Sequence, residues 1–267
     1  MEPATFAASS HLDERNDSEG PSTADVLAEV ERRQAAARAP VGERQRRVVI
    51  LADRFVFWLT KHWLAVLNAL VFLYVGLPFL APALMHVGAA GAARVIYTMY
   101  RPLCHQLPQR SWFLFGPQLS YRLSELMEQA GASAVTGAFE RAFIGNEALG
   151  YKVALCQRDT AIYGAILLFG LVYGLLRRRF KVPPLPWWAY LGFGILPMLL
   201  DGGYQFLSYA LATLWPAGPI AAHETTPALR LITGALFGLA TVWLAYPLVQ
   251  EAMDDFRHTL QQRFGWE

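Results

Sequence analysis

Cysteine is scarce in this chain of 267 residues: there are two, Cys104 and Cys156. At most one disulfide can close within the chain, and no CxxC pair exists to carry dithiol or zinc-ribbon chemistry. HExxH is absent as well. No GxSxG elbow surrounds a serine, so a serine hydrolase has no sequence basis even though Ser111 lies beside Arg110 and near His105. Charge is sparse: 16% of residues are charged, against about one-quarter in a typical soluble domain. Lys and Arg number 23 and Asp and Glu 21, a net charge of +2, too little to point to a nucleic-acid partner. The first 45 residues hold no continuous apolar stretch, so no cleavable signal peptide is expected, and insertion would begin at the first true span.

What is abundant is apolar surface, at 54% of residues, with 13% aromatic. Residues 1–21 are rich in Ser, Ala, Asp, Glu and Gly and are expected to be disordered; the pattern over 22–39 is helical with a thin apolar face, so 1–42 reads as a disordered or marginally helical cytoplasmic arm. Residues 43–62 place Val48, Leu51, Phe55, Trp58 and Leu59 at helical spacing beside Arg44, Arg46, Arg47, Arg54 and Lys61, the make-up of an amphipathic interfacial helix. Residues 63–250 read as a membrane domain with spans near 63–85, 160–176, 187–206 (Pro197 a kink) and 229–249. Residues 92–104 carry Arg94 and Arg101 and read as a re-entrant or interfacial helix. Residues 120–151 read as an extracytoplasmic helical insertion, with helices over 121–130 and 134–143, and 251–267 as a cytoplasmic tail helix. The expected fold is therefore all-α: a membrane-embedded bundle of about four transmembrane helices, with interfacial helices and a disordered N-terminal arm. Its evident partner is the lipid bilayer. Gly170-x-x-x-Gly174 and Gly234-x-x-x-Gly238 offer small-residue faces for close helix–helix contact.

Lys and Arg favour the cytoplasmic flanks of spans. Arg46, Arg47, Arg54 and Lys61 precede the first span, Arg177 to Lys181 follow the second, and Arg257 and Arg263 follow the fourth. Four spans then put both termini inside the cell membrane and the loops carrying Cys104, Cys156 and His223 outside. Asp201 falls roughly 21 Å from the inner face along the third span. A charge at that depth needs a partner, and Arg158 and Arg230 are the ones in reach. Gln205, four residues on, is placed to steady the Asp201 carboxylate.

Two polar clusters flank the apolar runs: Cys104-His105-Gln106-Leu107-Pro108-Gln109-Arg110-Ser111 and Cys156-Gln157-Arg158-Asp159-Thr160. Three readings stay open for them. A Cys104–Cys156 disulfide would staple the outer end of an accessory or scaffold subunit, stabilising by roughly 4 kcal/mol. Alternatively, Cys104, His105 and Cys156 with Asp159 or His223 would offer the sulfur and nitrogen ligands that zinc takes. That would make a metal-dependent membrane enzyme or metal handler, with Arg110, Arg158, Asp201, Gln205 and Arg230 around the ligands. The third reading is a thiol-redox or quinone-linked membrane protein. Asp159 and Thr160 can also simply cap the following span.

In order, the motifs CHQxPxRS, CQRDxAIY, LPMxxDGGYQ and RLITGxLFG start at Cys104, Cys156, Leu196 and Arg230. This series resembles the domain-of-unknown-function 2085 family of predicted prokaryotic multi-pass membrane proteins, over about residues 97–247. The resemblance implies a membrane location and supplies no activity. Residues 1–60 and 120–151 are expected to be peculiar to this chain.

Overall fold

A computed structural model describes residues 22–37 and 42–265. The disorder expected of residues 1–21 lies outside the described residues. The chain forms two units, Met1–Arg54 and Phe55–Glu267. In the first, helix α1, Thr23–Ala37, starts where Ser22 Oγ accepts the Asp25 amide at 3.2 Å, the side-chain cap that satisfies an orphan N–H.

Helix α2, Glu43–His86, takes in both the interfacial helix and the first span that the pattern separates. No Gly or Pro occurs from Glu43 to Val75, the first breaker being Gly76, so the backbone has no reason to stop at Lys61. Helix α3, Ala90–Tyr100, ends earlier than expected, and a turn carries the chain to Cys104, whose amide donates to Tyr100 O at 2.9 Å.

The segment between the two cysteines differs from the helical insertion expected of it. Helices α4, Leu123–Ala130, and α5, Ala132–Val135, are present, followed by a 3-10 stretch, Gly137–Ala142. Gly131, at φ +85°, ends α4 as expected. A small antiparallel sheet was not expected. Its strands are β1, Ser111–Leu114, β2, Gly145–Asn146, and β3, Gly150–Cys156, in the order β1-β3-β2. The turn between β2 and β3 needs glycine: Gly150 has φ +80°, and a Cβ there would stand 2.4 Å from Leu114 O. Helical periodicity is hard to separate from strand alternation in so short a stretch.

Helix α6, Gln157–Leu176, begins inside the second motif. Helix α7 covers residues 187–214 and alternates α and π turns, with π-helical stretches at Tyr190–Ile195 and Leu199–Gly203 on either side of Pro197. Pro197 has no N–H to give, so the ladder is reset around it. Helix α8, Pro227–Phe264, joins the fourth span and the tail. Among the described residues, three helices, α2, α6 and α8, are long and apolar enough to cross a membrane, and at most 39% of the apolar window of each is buried. Leu73, Leu80, Leu168, Leu175, Phe206 and Ile232 face outward, as side chains do when lipid is the solvent. The described residues are predominantly helical, as expected.

The glycine pairs serve contacts inside the chain. A Cβ on Gly234 would lie 2.9 Å from Ala161 Cβ, and one on Gly238 only 2.4 Å from Ile162 O, so α8 lies almost backbone to backbone on α6. Gly170 and Gly174 face side chains of α2: a Cβ on Gly170 would lie 2.3 Å from Asn68 Oδ1, and one on Gly174 3.2 Å from Leu64 Cδ2. Beyond them, Trp63, Tyr173 and Tyr246 pack edge to face at one end of α6. Under the cysteines, Ala81, Ile96, Tyr97, Tyr100 and Leu155 form a second core.

Replacing Gly238 with Ala forces α6 and α8 apart and is expected to cost about 1–3 kcal/mol. Gly164→Ala, whose Cβ would meet nothing within 4 Å, should leave the midpoint unchanged or slightly raised. Thermal unfolding of both variants in one detergent reads the difference.

Candidate functional site

The sheet brings the two motifs together. Ser111, which ends the first, pairs across β1 and β3 with Cys156, which opens the second. Cys156 then caps α6: its backbone is extended (φ −73°, ψ 162°) and its sulfur accepts the Asp159 amide at 3.4 Å. Thr160 Oγ1 donates to Cys156 O at 2.9 Å. The cap is thus the thiol rather than Asp159 or Thr160, and it turns the Asp159 side chain to the same side as the sulfur.

Cys104 is fixed from the other direction. Its loop contains Gln106 at φ +53°, a conformation uncommon for a residue with a Cβ. Three side chains hold it. Gln106 Nε2 donates to Tyr97 O at 2.9 Å. Lys152, fully buried on β3, donates to Gln106 O at 2.6 Å and to Arg141 O at 3.2 Å. Arg141 spans the carbonyls of Arg101, Cys104 and His105 at 2.8, 3.3 and 2.9 Å. Burial pushes the Lys152 ammonium down to about 7, because the charged form loses its hydration.

The outcome is a compact trio. The sulfurs of Cys104 and Cys156 and a carboxylate oxygen of Asp159 all lie within 4.8 Å of one another. Both cysteines are free thiols, and the Cys156 amide donates to the Cys104 sulfur at 3.3 Å. The two thiols share a hydrogen bond that draws the Cys104 thiol below its ordinary value and pushes the Cys156 thiol above it. Burial and the Asp159 charge oppose the first effect and reinforce the second. Among the described residues, no donor is directed at the Asp159 carboxylate. His105 and His223 stand apart from the trio. His105 is exposed and lines the adjoining cavity. His223 packs its ring on Tyr204, and its amide donates to Ser208 Oγ at 2.9 Å. Ser111 is buried, and its hydroxyl donates to Leu107 O at 2.9 Å.

The cavity beside the trio measures about 220 Å³. Cys104, Cys156 and Asp159 form part of its wall, and Arg110, Arg158, Gln205 and Arg230 another part. Behind this wall Glu224 is the common acceptor. Arg110 grips it with Nε and NH2 at 2.7 and 2.8 Å. Gln205 Nε2 and Tyr209 OH donate at 2.8 and 2.6 Å, and Arg230 adds a further hydrogen bond. Burial pushes the Glu224 carboxyl up, but hydrogen bonds from Arg110 and Tyr209, with the charges of Arg110 and Arg230, hold it below its usual range. Arg230, 2% exposed, also donates to Gln157 Oε1 and Thr225 Oγ1, both at 3.0 Å.

Asp201 has the partner its depth demands: Arg158 NH2 donates to Oδ2 at 2.5 Å, and Thr233 Oγ1 at 3.2 Å. Arg230 goes to Glu224 instead. Gln205 does not steady Asp201, contrary to the four-residue spacing. Asp201 sits in a π turn, which puts an extra residue into the turn and carries position i+4 off the face of position i. Glu224, Lys152, Gln106 and Arg141 are the residues that sequence reasoning missed. Glu224 directly follows His223 in the loop before the fourth span, where its charge was the available signal; Lys152 carried no signal in an unrecognised strand.

Residues 139–244 match the model of a family described as "Predicted membrane protein (DUF2085)". The resemblance seen in the motifs is therefore shown, over a shorter range. The match includes Cys156, Asp159, Asp201 and Arg230 and begins after Cys104 and His105. It also begins within 120–151, so residues 139–151 are not peculiar to this chain. "Uncharacterized protein MJ1492" of Methanocaldococcus jannaschii is 26% identical over 198 residues, which are 72% of this chain and 94% of that protein. No solved structure matches the chain.

Truncating Glu224 to Ala leaves the buried Arg230 guanidinium without its counter-charge. The expected loss is about 3 kcal/mol, seen as a lowered unfolding midpoint, whereas Glu251→Ala at an exposed position should fall within about 0.5 kcal/mol of the parent.

Proposed function

We propose that this membrane protein carries a divalent metal centre of catalytic type, with Cys104, Cys156 and Asp159 as ligands and zinc as the ion their chemistry favours. The observation that carries the reading is the trio itself: two sulfurs and a carboxylate oxygen within 4.8 Å. Tetrahedral zinc holds such ligands about 3.8 Å apart, so a small closure completes the set. Three groups that can each become anionic repel one another unless a cation stands between them. The free Asp159 carboxylate supports that cation. Structural zinc sites are closed by four protein ligands, whereas catalytic ones keep a position for water or substrate. Here the fourth position faces the cavity, which favours an enzyme over a storage or folding site. A metal-bound water in that position would be acidified and made nucleophilic.

The orientation is proposed from the basic flanks, with α7 taken as a fourth crossing beside the three helices above: both termini cytoplasmic, the trio at the extracytoplasmic end of the bundle in the cell membrane. A second reading rests on the same pair of sulfurs. Oxidation would join Cys104 and Cys156 and tie the loop after α3 to the start of α6, as in a stapled accessory subunit. The Asp159 carboxylate beside the two sulfurs favours the metal, because a disulfide would leave it only its place in the first turn of α6.

Metal analysis of the purified full chain, paired with thiol labelling, separates the two. Stoichiometric zinc is expected, lost in Cys104→Ser, Cys156→Ser and Asp159→Asn, with both thiols alkylated once a chelator is added. Protein free of metal whose thiols react only after reduction sinks the metal centre and leaves the staple.

A further inference from the structure

The wall of the cavity beside the trio is rich in cations, while the anions that balance them stand behind it. Arg110, Arg158 and Arg230 line it, with the Gln205 amide and exposed His105. Asp159, a ligand in the reading above, is the sole carboxylate of the lining. Glu224 and Asp201, which pair with the arginines, are not part of it. Carboxylates so placed fix the guanidinium planes of Arg110 and Arg158 and leave some of their N–H groups for a ligand, whereas Arg230 spends its donors on Glu224, Thr225, Gln157 and Gln109 and serves to hold the wall. Arg158 shows this most clearly. One terminal nitrogen is committed to Asp201 at 2.5 Å; among the described residues the other, NH1, has no hydrogen-bond partner, while Nε and Asp201 Oδ1 are buried without one. The guanidinium lies against Gly202, where a Cβ would stand 2.6 Å from NH1. A side chain at that position would push Arg158 off its site.

From this arrangement we infer that the cavity binds a small oxyanion, a carboxylate or a phosphate, next to the metal's open position. Its size agrees: about 220 Å³ is roughly seven water molecules' share of liquid volume, room for a group of a few heavy atoms. Arginine matches the planar or tetrahedral oxygens of such a group with paired N–H donors. The inference deepens the metal-centre reading and rests on it for its chemistry: an oxyanion held by the arginines would present an oxygen to the ion. The donor-lined cavity itself stands without the metal. The phosphate could belong to a free ion or to the headgroup of an anionic lipid.

Calorimetric titration of the full, zinc-loaded chain with inorganic phosphate and with acetate tests it, with chloride as the ionic-strength control. Saturable binding of phosphate or acetate is expected, weakened about tenfold or more in Arg158→Gln, with zinc content unchanged. Because Arg158→Gln can fail to fold, Arg110→Gln is measured beside it and should weaken binding likewise. Nanodiscs of phosphatidylcholine with and without phosphatidic acid, in phosphate-free buffer, distinguish the source. If phosphatidic acid alone lowers alkylation of Cys104 and Cys156 after chelation, the ligand is a lipid headgroup; if free phosphate does so, it is a soluble ion. Zinc bound normally with no response to phosphate, acetate or phosphatidic acid overturns the oxyanion site and leaves the metal centre standing. If no zinc is bound, the same titrations of the metal-free chain decide: binding lost in the arginine variants keeps the oxyanion site, and its absence in the parent overturns it.

Discussion

Arg230 is a guanidinium buried near the start of an apolar helix, and the arrangement around it follows from the need to neutralise it. Transfer of such a charge out of water costs several kcal/mol unless it is paired and its N–H groups are satisfied. Glu224 supplies the charge, and Gln157 and Thr225 accept further hydrogen bonds. Glu224 in turn has room for more donors, and it takes them from Arg110 in the first motif and from Gln205 and Tyr209 on α7. One carboxylate therefore ties the first motif to α7 and α8, and Gln157 extends the tie to α6. The loop between α7 and α8 is pinned for the same reason.

This network orients the arginines, but the strands decide where the sulfurs go. Pairing Ser111 with Cys156 sets the end of the first motif beside the start of α6. The reach back to Cys104 then depends on the tight loop that Lys152 and Arg141 clamp. A buried lysine is expensive, and its lowered affinity for a proton expresses that expense. It is tolerated because its ammonium donates to two carbonyls, Gln106 O and Arg141 O. The left-handed Gln106 is held by the same contacts. Backbone strain next to a reactive group persists only where the surroundings over-determine it, and here a strand, a helix end and an arginine do so.

Much of this was legible in the sequence, and the parts that were not share a cause. The apolar runs revealed α2, α6 and α8, since twenty apolar residues in water have few alternatives. The convergence of Cys104, Cys156, Asp159, Arg158 and Asp201 followed from flanking charges and from the cost of a lone carboxylate in an apolar helix. The sheet did not, because β1 has four residues and β2 two, below the length at which alternation can be told from helical spacing. With the sheet went Lys152, whose position has meaning only as part of a strand. The mistaken partner of Gln205 came from assuming an α-helical period across a π turn. Helix boundaries at residue 62 and residue 250 were inferred from changes in polarity, but polarity does not end a helix in the absence of Gly, Pro or a cap.

The π turns also bear on how α7 can carry Asp201. A regular α-helix through Leu199, Asp201 and Gly203 would keep its side chains on fixed 100° steps. The widened turn lets the Asp201 carboxylate meet Arg158 and Thr233 while Leu199, Leu200 and Phe206 remain on the outside. Gly202 supplies the complementary space, since any Cβ there would collide with the arginine. Insertions of this kind are rare in helices and recur at functional sites. Their local cost is offset only if the contact they create is needed. Here that contact holds Arg158 by one terminal nitrogen, in a cavity wall that it shares with both cysteines.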